Sequence, residues 1–229
     1  MLITFMPLPY LYSLQHCPYA MRARLGLLLS EQKVMVRAVN LKDKPKDMLA
    51  VSAKGTVPIL VVPDEHDAAS QKVIDESLDV MLWALHTSDP KDLLYKDDVA
   101  AEPKMLALIK KNDDVFVEFL EKYKHASRYH DFSQLYYRRQ CELFIQEIED
   151  ALSAHEFIFG PKASLVDYAL LPFIRQFAKV DRKWYLNSPY PKVRTWLNAQ
   201  LQQALFTKAM AKFPLWNDEG KAYLLGSTV

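Results

Sequence analysis

The chain has few cysteines and few glycines. Its 229 residues include two cysteines, Cys17 and Cys141, which cannot build a disulfide framework and are typical of a protein kept in a reducing compartment. The 5 glycines are far below the usual share, which is about 7% of residues. None of them lies in a Gly-x-Gly-x-x-Gly pattern or a phosphate-binding loop, so we expect no nucleotide cofactor.

The chain also has a small net charge and no long apolar run. The formal net charge is +1, and no five like charges follow one another, so we expect neither nucleic acid nor a membrane surface as a partner. No stretch reaches the ~20 apolar residues of a membrane helix, and the first residues lack the basic region of a secretion signal. The 6 histidines show no paired spacing with cysteine or carboxylates, so we expect no metal site. These absences predict a soluble, cytoplasmic protein.

The patterning of the chain changes near residue 87. The first part switches repeatedly between strand-like alternation and helix-like spacing, in the order β-α-β-α-β-β-α. That order predicts a mixed sheet with helices on its faces. Residues 88–102 are polar and contain Pro90, as a linker would. We therefore predict an α/β domain over 1–87 and an all-α domain over 103–229.

Four long helices are predicted in the second domain, over 103–124, 133–154, 164–179 and 191–211. Ser164 and Asp167 open the third helix as a capping box, so we interpret both as structural. Pro172 lies inside that helix and predicts either a kink or a misplaced boundary. Eight aromatic residues cluster in this domain, and we expect most of them in the helical core rather than in an acceptor pocket. They are Tyr129, Phe132, Tyr136, Tyr137, Phe173, Phe177, Trp184 and Tyr185.

The stretch His16-Cys17-Pro18-Tyr19-Ala20 joins a strand-like run to a helix-like run. A cysteine at a helix start faces unpaired backbone N–H groups and the positive end of the helix dipole, which favour the nucleophilic thiolate. Pro18 suits the first helical position, where its missing N–H costs nothing. We interpret Cys17 as a reactive thiol, against the alternative of a buried structural cysteine. Cys141, inside a helical pattern, is predicted to belong to the core.

Five motifs occur in the order in which the cytosolic glutathione transferases carry them. They are Cys17-Pro18-Tyr19-Ala20-Met21-Arg22, Asn40-Leu41-Lys42-Asp43-Lys44-Pro45, Val57-Pro58-Ile59-Leu60, Asp75-Glu76-Ser77 and Ser164-Leu165-Val166-Asp167. Each motif is weak alone, but together and on the predicted elements they make the chain resemble this superfamily, and its omega-like class most of all. The resemblance implies a thioredoxin-like α/β domain followed by an all-helical domain.

The resemblance also implies a glutathione site in the first domain, with Cys17 as the catalytic residue. The binding positions that it implies are Tyr19, Leu41, Lys44, Val57, Pro58, Glu76 and Ser77. Val57, ahead of a cis bond to Pro58, would pair its backbone with the cysteinyl part of glutathione. Glu76 and Ser77, at a helix start, would hold the γ-glutamyl end, and Lys44 the glycyl carboxylate. Without the resemblance, Glu76 and Ser77 are explained more simply as helix caps, and Lys44 as a solvated lysine.

The same motif narrows the chemistry that the resemblance implies. Ala20 stands where a Cys-x-x-Cys motif has its second thiol, so an intramolecular disulfide cycle is excluded. A lone thiolate can still accept a glutathionyl group from a mixed disulfide and pass it to a second glutathione. The resemblance thus implies a glutathione-dependent thiol transferase or reductase, with a small-molecule or protein acceptor, in a homodimer. Two alternatives stay open: a glutathione-conjugating transferase acting on electrophiles, and a non-catalytic adaptor with the same fold.

Overall fold

The structure is a computed structural model that describes residues 7–64, 70–129 and 132–227. The chain divides into two compact units. The first unit consists of residues 1–91 together with residues 204–229, and the second of residues 92–203. The predicted domain boundaries at residues 87 and 103 stay predictions.

The first unit is built on a mixed sheet that has five strands in the described part of the chain. They are β1 (Tyr10–Ser13), β2 (Met35–Ala38), β3 (Ile59–Pro63), β4 (Gln71–Ile74) and β5 (Tyr223–Leu224). Their order across the sheet is β4-β3-β1-β2-β5. β1 and β2 run parallel, and the other neighbouring pairs are antiparallel. Because a parallel pair needs a crossover connection, a helix lies between β1 and β2 in the chain.

Helices cover both faces of this sheet. α1 (Pro18–Leu29) and α3 (Ser77–Thr87) pack on the face that carries Leu11, and α2 (Lys46–Val51) packs on the face that carries Tyr12. Successive side chains of β1 therefore enter two different apolar clusters, as the period of two in a strand requires. Up to α3, the elements follow the predicted order β-α-β-α-β-β-α.

The second unit is helical. Its helices are α4 (Ala101–Lys111), α5 (Val117–Lys124), α6 (Gln134–Ala154), α7 (Leu165–Val180), α8 (Arg182–Leu186) and α9 (Pro191–Gln202). A π-helical turn over Asn112–Phe116 joins α4 to α5, so the predicted helix over 103–124 is continuous but locally widened. α7 continues through Pro172 to Val180, so this proline does not mark a helix boundary. α8, of only five residues, was not predicted.

The start of α7 is organised by a buried carboxylate. Ser164 and Asp167 form a complete capping box, and the side chain of Asp167 is fully buried. Asp167 also accepts hydrogen bonds from the backbone N–H of Ile158 at 3.1 Å and from Nε1 of Trp196 at 3.0 Å. The structural role predicted for this pair is therefore confirmed, and Asp167 additionally joins α7 to α9.

The aromatic cluster of the second unit is only partly core. Tyr137, Phe173, Phe177 and Tyr185 are buried, and Trp184 is half-buried. The other three predicted members, Tyr129, Phe132 and Tyr136, are exposed. The ring of Phe132 stacks on that of Tyr136, with centroids 4.2 Å apart.

The segment after residue 203 belongs to the first unit. α10 (Ala204–Ala209) packs on α1, α11 (Trp216–Glu219) follows, and β5 pairs with β2 through Met35 opposite Leu224. The prediction of an all-helical domain running to residue 229 is therefore wrong in its last part. The physical reason is long-range pairing: backbone hydrogen bonds along β2, and burial of Phe213 and Leu225 in the core under α1 and α3, draw this segment to the sheet. The predicted helix over 191–211 is accordingly two helices.

Candidate active site

Cys17 is the residue at which α1 begins. It is the N-cap of the helix, with φ −69° and ψ 124°, and Pro18 is the first helical residue. The N–H of Cys17 donates to the carbonyl oxygen of Leu14 at 3.2 Å, and its own carbonyl oxygen accepts from the N–H of Met21 at 2.9 Å. The side chain is half-buried. A thiol at this position faces the unpaired N–H groups of a helix N-terminus, which is the placement that the sequence predicts.

The thiol of Cys17 lies beside the backbone that leads into β3. Its Sγ is 3.8 Å from the carbonyl oxygen of Val57. The peptide bond between Val57 and Pro58 is cis, as the resemblance implies, and both residues are buried. Leu41 packs on the same apolar cluster as Cys17, a cluster that includes Val57. The structure thus brings four of the predicted site residues to one place.

Glu76 and Ser77 stand where α3 begins. Glu76 is the N-cap, but its carboxylate makes no capping hydrogen bond and instead forms an ion pair with Lys54. Ser77 is the first helical residue and is 4% exposed. Simple helix capping therefore does not explain the side chain of Glu76.

Lys54 lies with Asp75 and Glu76, although no sequence motif marks it as a site residue. Its Nζ contacts the carboxylate of Glu76 and lies 3.3 Å from Oδ1 of Asp75. The hydrogen bond to Glu76 raises the pKa of Lys54 above its ordinary value. Asp75 also accepts a 2.7 Å hydrogen bond from Oγ of Ser52, and this bond, together with Lys54, holds the pKa of Asp75 below its ordinary value. No local pattern could reveal Lys54, because its partner Glu76 is 22 residues away in the sequence.

The two remaining predicted residues, Lys44 and Tyr19, are exposed. A Cβ built on Gly55 would lie 3.1 Å from Nζ of Lys44, so this lysine lies over the loop that carries Lys54. Gly55 has a φ of +59°, a conformation in which a side chain would be strained. Tyr19 follows Pro18 in the first turn of α1 and is 38% exposed.

Arg24 is buried in α1 and hydrogen-bonds to the loop that carries Cys17. Its acceptors are the carbonyl oxygens of Ala209 at 2.6 Å, Gln15 at 2.6 Å and Leu14 at 3.2 Å, and the hydroxyl of Ser13. Burial lowers the pKa of Arg24 to about 10, and the charge of Cys17 acts in the opposite direction. Arg24 therefore links the β1–α1 loop to the end of α10. The two arginines of an otherwise apolar helical run, Arg22 and Arg24, are the signal that could have identified it.

The hydroxyl groups of Tyr12 and Ser13, in the strand ahead of Cys17, are already engaged. Tyr12 donates to Oδ2 of Asp47 at 2.7 Å and accepts from Nη1 of Arg37 at 2.8 Å, while Ser13 accepts from Arg24. Both Tyr12 and Ser13 are buried, and burial, with the bond to Asp47, raises the pKa of Tyr12. These contacts favour Cys17 over the hydroxyls of Tyr12 and Ser13 as the reactive group.

A cavity of about 430 Å³ adjoins the loop that precedes Cys17. Its walls are the loop residues Leu14, Gln15 and His16, the end of β2, and residues 211–215 of the C-terminal segment. Nε2 of Gln15 donates to the carbonyl oxygen of Met210 at 2.9 Å, which holds these two walls together. The lining is mostly apolar, and the volume is in the range of small-molecule sites.

Other potentially reactive groups are few. Cys141 is fully buried, and burial raises the pKa of its thiol. His66 and His130 lie outside the described residues, and within those residues no three histidine, cysteine or carboxylate side chains are grouped as a metal site would need. No helix in the described ranges is both long enough and apolar enough to cross a membrane.

The first unit is a mixed sheet with a cysteine at the start of its first helix and a cis-proline ahead of β3, and the second unit is helical. This combination defines the thioredoxin-like proteins with an all-helical second domain. Two family models match the chain: the glutathione S-transferase N-terminal domain over residues 11–92 and the glutathione S-transferase C-terminal domain over residues 137–199. Together they cover more than half of it. The chain belongs to the glutathione S-transferase family.

Individual relatives are distant in sequence. Mouse glutathione S-transferase omega-1 is 24% identical over 192 residues, which is 83% of this chain and 75% of that protein. Pyrimidodiazepine synthase of Drosophila melanogaster is 28% identical over 192 residues, which is 82% of this chain and 74% of that protein.

Solved structures agree in fold. A glutathione transferase family member from Pseudomonas fluorescens, crystallised with two glutathione molecules, has a TM-score of 0.76 at 16% identity and covers 91% of this chain and 95% of that one. A glutathione transferase from Burkholderia graminis, with two glutathione molecules per subunit, has a TM-score of 0.74 at 15% identity. The matched regions are 88% of this chain and 87% of the Burkholderia chain.

Proposed function

We propose that this protein is a glutathione-dependent thiol transferase in which Cys17 is the nucleophile. The observation that carries the proposal is the position of the thiol, at the start of α1 and 3.8 Å from the carbonyl oxygen of Val57. Backbone that leads into a strand can pair with an extended peptide such as glutathione and hold its cysteinyl sulfur near this thiol. Ala20, three residues further on, supplies no second thiol.

The reaction consists of two thiol–disulfide exchanges. The Cys17 thiolate attacks the glutathionyl sulfur of a mixed disulfide, so that a bond forms between Sγ and that sulfur while the acceptor leaves as a thiolate and takes up a proton. The thiolate of a second glutathione then attacks the glutathionyl sulfur held on Cys17. Oxidised glutathione leaves and the Cys17 thiolate is restored. The acceptor disulfide is reduced, and two glutathionyl groups are joined by oxidation.

Each end of glutathione has a partner of matching chemistry in the first unit. We assign the backbone of Val57 to the cysteinyl part and Leu41 to packing beside it. Ser77, at the N-terminus of α3, offers N–H and hydroxyl groups to the γ-glutamyl carboxylate, and Glu76 offers its carboxylate to the ammonium group. Lys44, an exposed lysine over the loop before Val57, suits the glycyl carboxylate. Tyr19 and Pro58 are proposed as flanking contacts.

The relatives support glutathione as the co-substrate. Two of the structurally similar transferases hold glutathione, and the named relatives include omega-1 transferases, the class whose motif Cys17-Pro18-Tyr19-Ala20 resembles. The omega-like thiol transfer mechanism, a homodimeric state and a cytoplasmic location are part of this proposal.

Mass spectrometry after incubation with oxidised glutathione tests the proposal. We expect a glutathionyl adduct on Cys17 that reduced glutathione removes. Cys17→Ser should lose both the adduct and the reduction of a mixed-disulfide substrate, whereas Cys141→Ser, the matched control, should keep both. Full thiol-transfer activity in Cys17→Ser would contradict the proposal.

Activity assays separate the two alternatives. A conjugating transferase would keep activity towards an electrophile such as 1-chloro-2,4-dinitrobenzene in Cys17→Ala, which introduces no hydroxyl that could activate glutathione. A non-catalytic adaptor would turn over neither substrate in the wild type. The hydrogen bonds that engage Tyr12 and Ser13 give no support to hydroxyl-activated conjugation.

A further inference from the structure

We propose that Lys54 and Glu76 form a matched pair for the zwitterionic γ-glutamyl end of glutathione, with Lys54 holding its α-carboxylate and Glu76 its ammonium group. The inference rests on the proposed function. It adds to that function a specificity-determining residue on the loop before β3.

The geometry of Lys54 supports this role. Its Nζ contacts the carboxylate of Glu76 and lies 3.3 Å from Oδ1 of Asp75, so it stands at the point where α3 begins. Lys54 and Glu76 are both exposed, and a ligand can therefore reach both charges. A zwitterion that enters here can exchange the existing ion pair for two new ones, because its ammonium group fits Glu76 and its carboxylate fits Lys54.

The loop that carries Lys54 is anchored by a hydrogen bond from Ser52. Ser52 is 6% exposed, and its hydroxyl donates to Oδ2 of Asp75 at 2.7 Å, which ties the loop to the residue just before Glu76. Three residues after Lys54 the same loop reaches Val57, whose backbone is proposed to bind the cysteinyl part of glutathione. One loop would thus contact two adjacent residues of the tripeptide, and its anchoring reduces the ordering that binding requires.

Charge balance gives the chemical reason for a lysine at this position. Asp75 and Glu76 place two carboxylates beside the N-terminus of α3, where the α-carboxylate of glutathione would approach Ser77. Two negative charges would repel that carboxylate. Lys54, in contact with both acids, offsets this repulsion and provides a cation for the incoming carboxylate. A ligand that carries the ammonium group but no α-carboxylate would, by contrast, have to compete with Lys54 for Glu76.

Binding measurements with truncated ligands test this division of roles. The probes are S-methylglutathione, an analogue with glutaryl in place of the γ-glutamyl group, which lacks the ammonium, and an analogue with 4-aminobutyryl, which lacks the α-carboxylate. The S-methyl group prevents reaction at Cys17, so calorimetry reports binding alone. Wild type, Lys54→Met and Lys54→Arg are compared, with Lys33→Met as a control at an exposed lysine of the same unit.

We expect Lys54→Met to weaken the binding of only those ligands that carry the α-carboxylate. Lys54→Met should weaken S-methylglutathione and the glutaryl analogue about five- to tenfold, because both retain the carboxylate. The same change should leave the 4-aminobutyryl analogue unchanged or bound more tightly, because Glu76 is then released from Lys54. Lys54→Arg should restore most of the affinity for the carboxylate-bearing ligands, and Lys33→Met should change none of them.

The outcomes distinguish this inference from the proposed function. Equal affinity of wild type and Lys54→Met for S-methylglutathione, or equal weakening of both analogues, would overturn the role of Lys54 and leave the proposed function intact. A wild type that binds no S-methylglutathione would overturn the proposed function, and the role of Lys54 with it.

Discussion

The guanidinium group of Arg24 donates from Nε to the carbonyl oxygen of Ala209, at 2.6 Å, across 185 positions of the chain. Arg24 is 2% exposed and Ala209 is fully buried. The same guanidinium hydrogen-bonds to the carbonyl oxygens of Leu14 and Gln15, just ahead of Cys17. The end of α10 and the loop that presents the proposed nucleophile are therefore held by one side chain.

Replacing Arg24 should destabilise the protein strongly. Arg24→Met keeps the aliphatic volume but leaves the buried carbonyl oxygen of Ala209 and the part-buried ones of Leu14 and Gln15 without this donor, so we expect the free energy of unfolding to fall by about 2–4 kcal/mol. Urea denaturation measures the loss. Lys208→Met, which removes an exposed charge from α10, should change stability by less than about 0.5 kcal/mol. Equal stability of the two variants would contradict the structural role of Arg24.

A methyl group at Gly26 should separate α1 from α3. A Cβ there would stand 2.8 Å from Cα and 2.9 Å from Cβ of Met81, so we expect Gly26→Ala to cost about 1–3 kcal/mol of unfolding free energy. In a Met81→Ala background, Gly26→Ala should cost about as much as in the wild type, because the Cα and Cβ of residue 81 remain in the way. A much smaller cost in that background would show that only the flexible end of Met81 is in conflict.

The buried thiol of Cys141 should make stability fall at alkaline pH. Burial raises the pKa of this thiol in the folded protein, so above about pH 8.5 the unfolded chain loses a proton that the folded protein keeps. The folded state then binds more protons, and its stability decreases as the pH rises. For this one group the loss is on the order of 1 kcal/mol at pH 9.5.

Comparison with Cys141→Ala isolates this effect. Cys17 and the tyrosines contribute equally to both proteins, so the stability advantage of the wild type should shrink by about 1 kcal/mol between pH 7.5 and 9.5. Urea denaturation at several pH values measures it. A constant difference would mean that Cys141 ionises as readily in the folded protein as in the unfolded one.

The carboxylate of Asp167 should be essential to the second unit. Its two oxygens accept hydrogen bonds from Ser164, Ile158 and Trp196, so Asp167→Ala should cost about 3–5 kcal/mol by leaving buried donors unpaired. Asp167→Asn keeps one acceptor oxygen and should be intermediate. Ser164→Ala, which removes a cap but leaves the carboxylate, should cost about 1 kcal/mol. Thermal unfolding should rank the variants in this order, and a stable Asp167→Asn would contradict it.

The elements that the sequence predicts correctly are those encoded by neighbouring residues. The strand-like run ahead of His16 and the capping box at Ser164 are local patterns, and both are found in the structure. β5 consists of only two residues, Tyr223 and Leu224, too short to show a period. Its position depends on an edge of β2 that lies almost a full chain length away, so no local pattern could predict it.

The candidate site likewise contains residues that local sequence identifies and residues that only the folded chain brings together. Cys17 and Pro18 mark a helix start within a few residues, and the structure places the start of α1 there. Lys54 becomes part of the site only because the loop before β3 folds against the start of α3, which brings it to Glu76. Motif spacing contains no information on that contact. It is seen only in the folded chain, where the ammonium group of Lys54 contacts the carboxylate of Glu76.

The pairing of β5 with β2 has a consequence for synthesis on the ribosome. At roughly 5–20 residues per second, β5 is made roughly 10–40 s after β2. During that interval the edge of β2 has unpaired backbone groups, and Arg24 has no Ala209 to which it can donate. The residues of the second unit are therefore made before the first unit can complete its sheet, and the loop ahead of Cys17 gains its link through Arg24 to α10 only once Ala209 has been made.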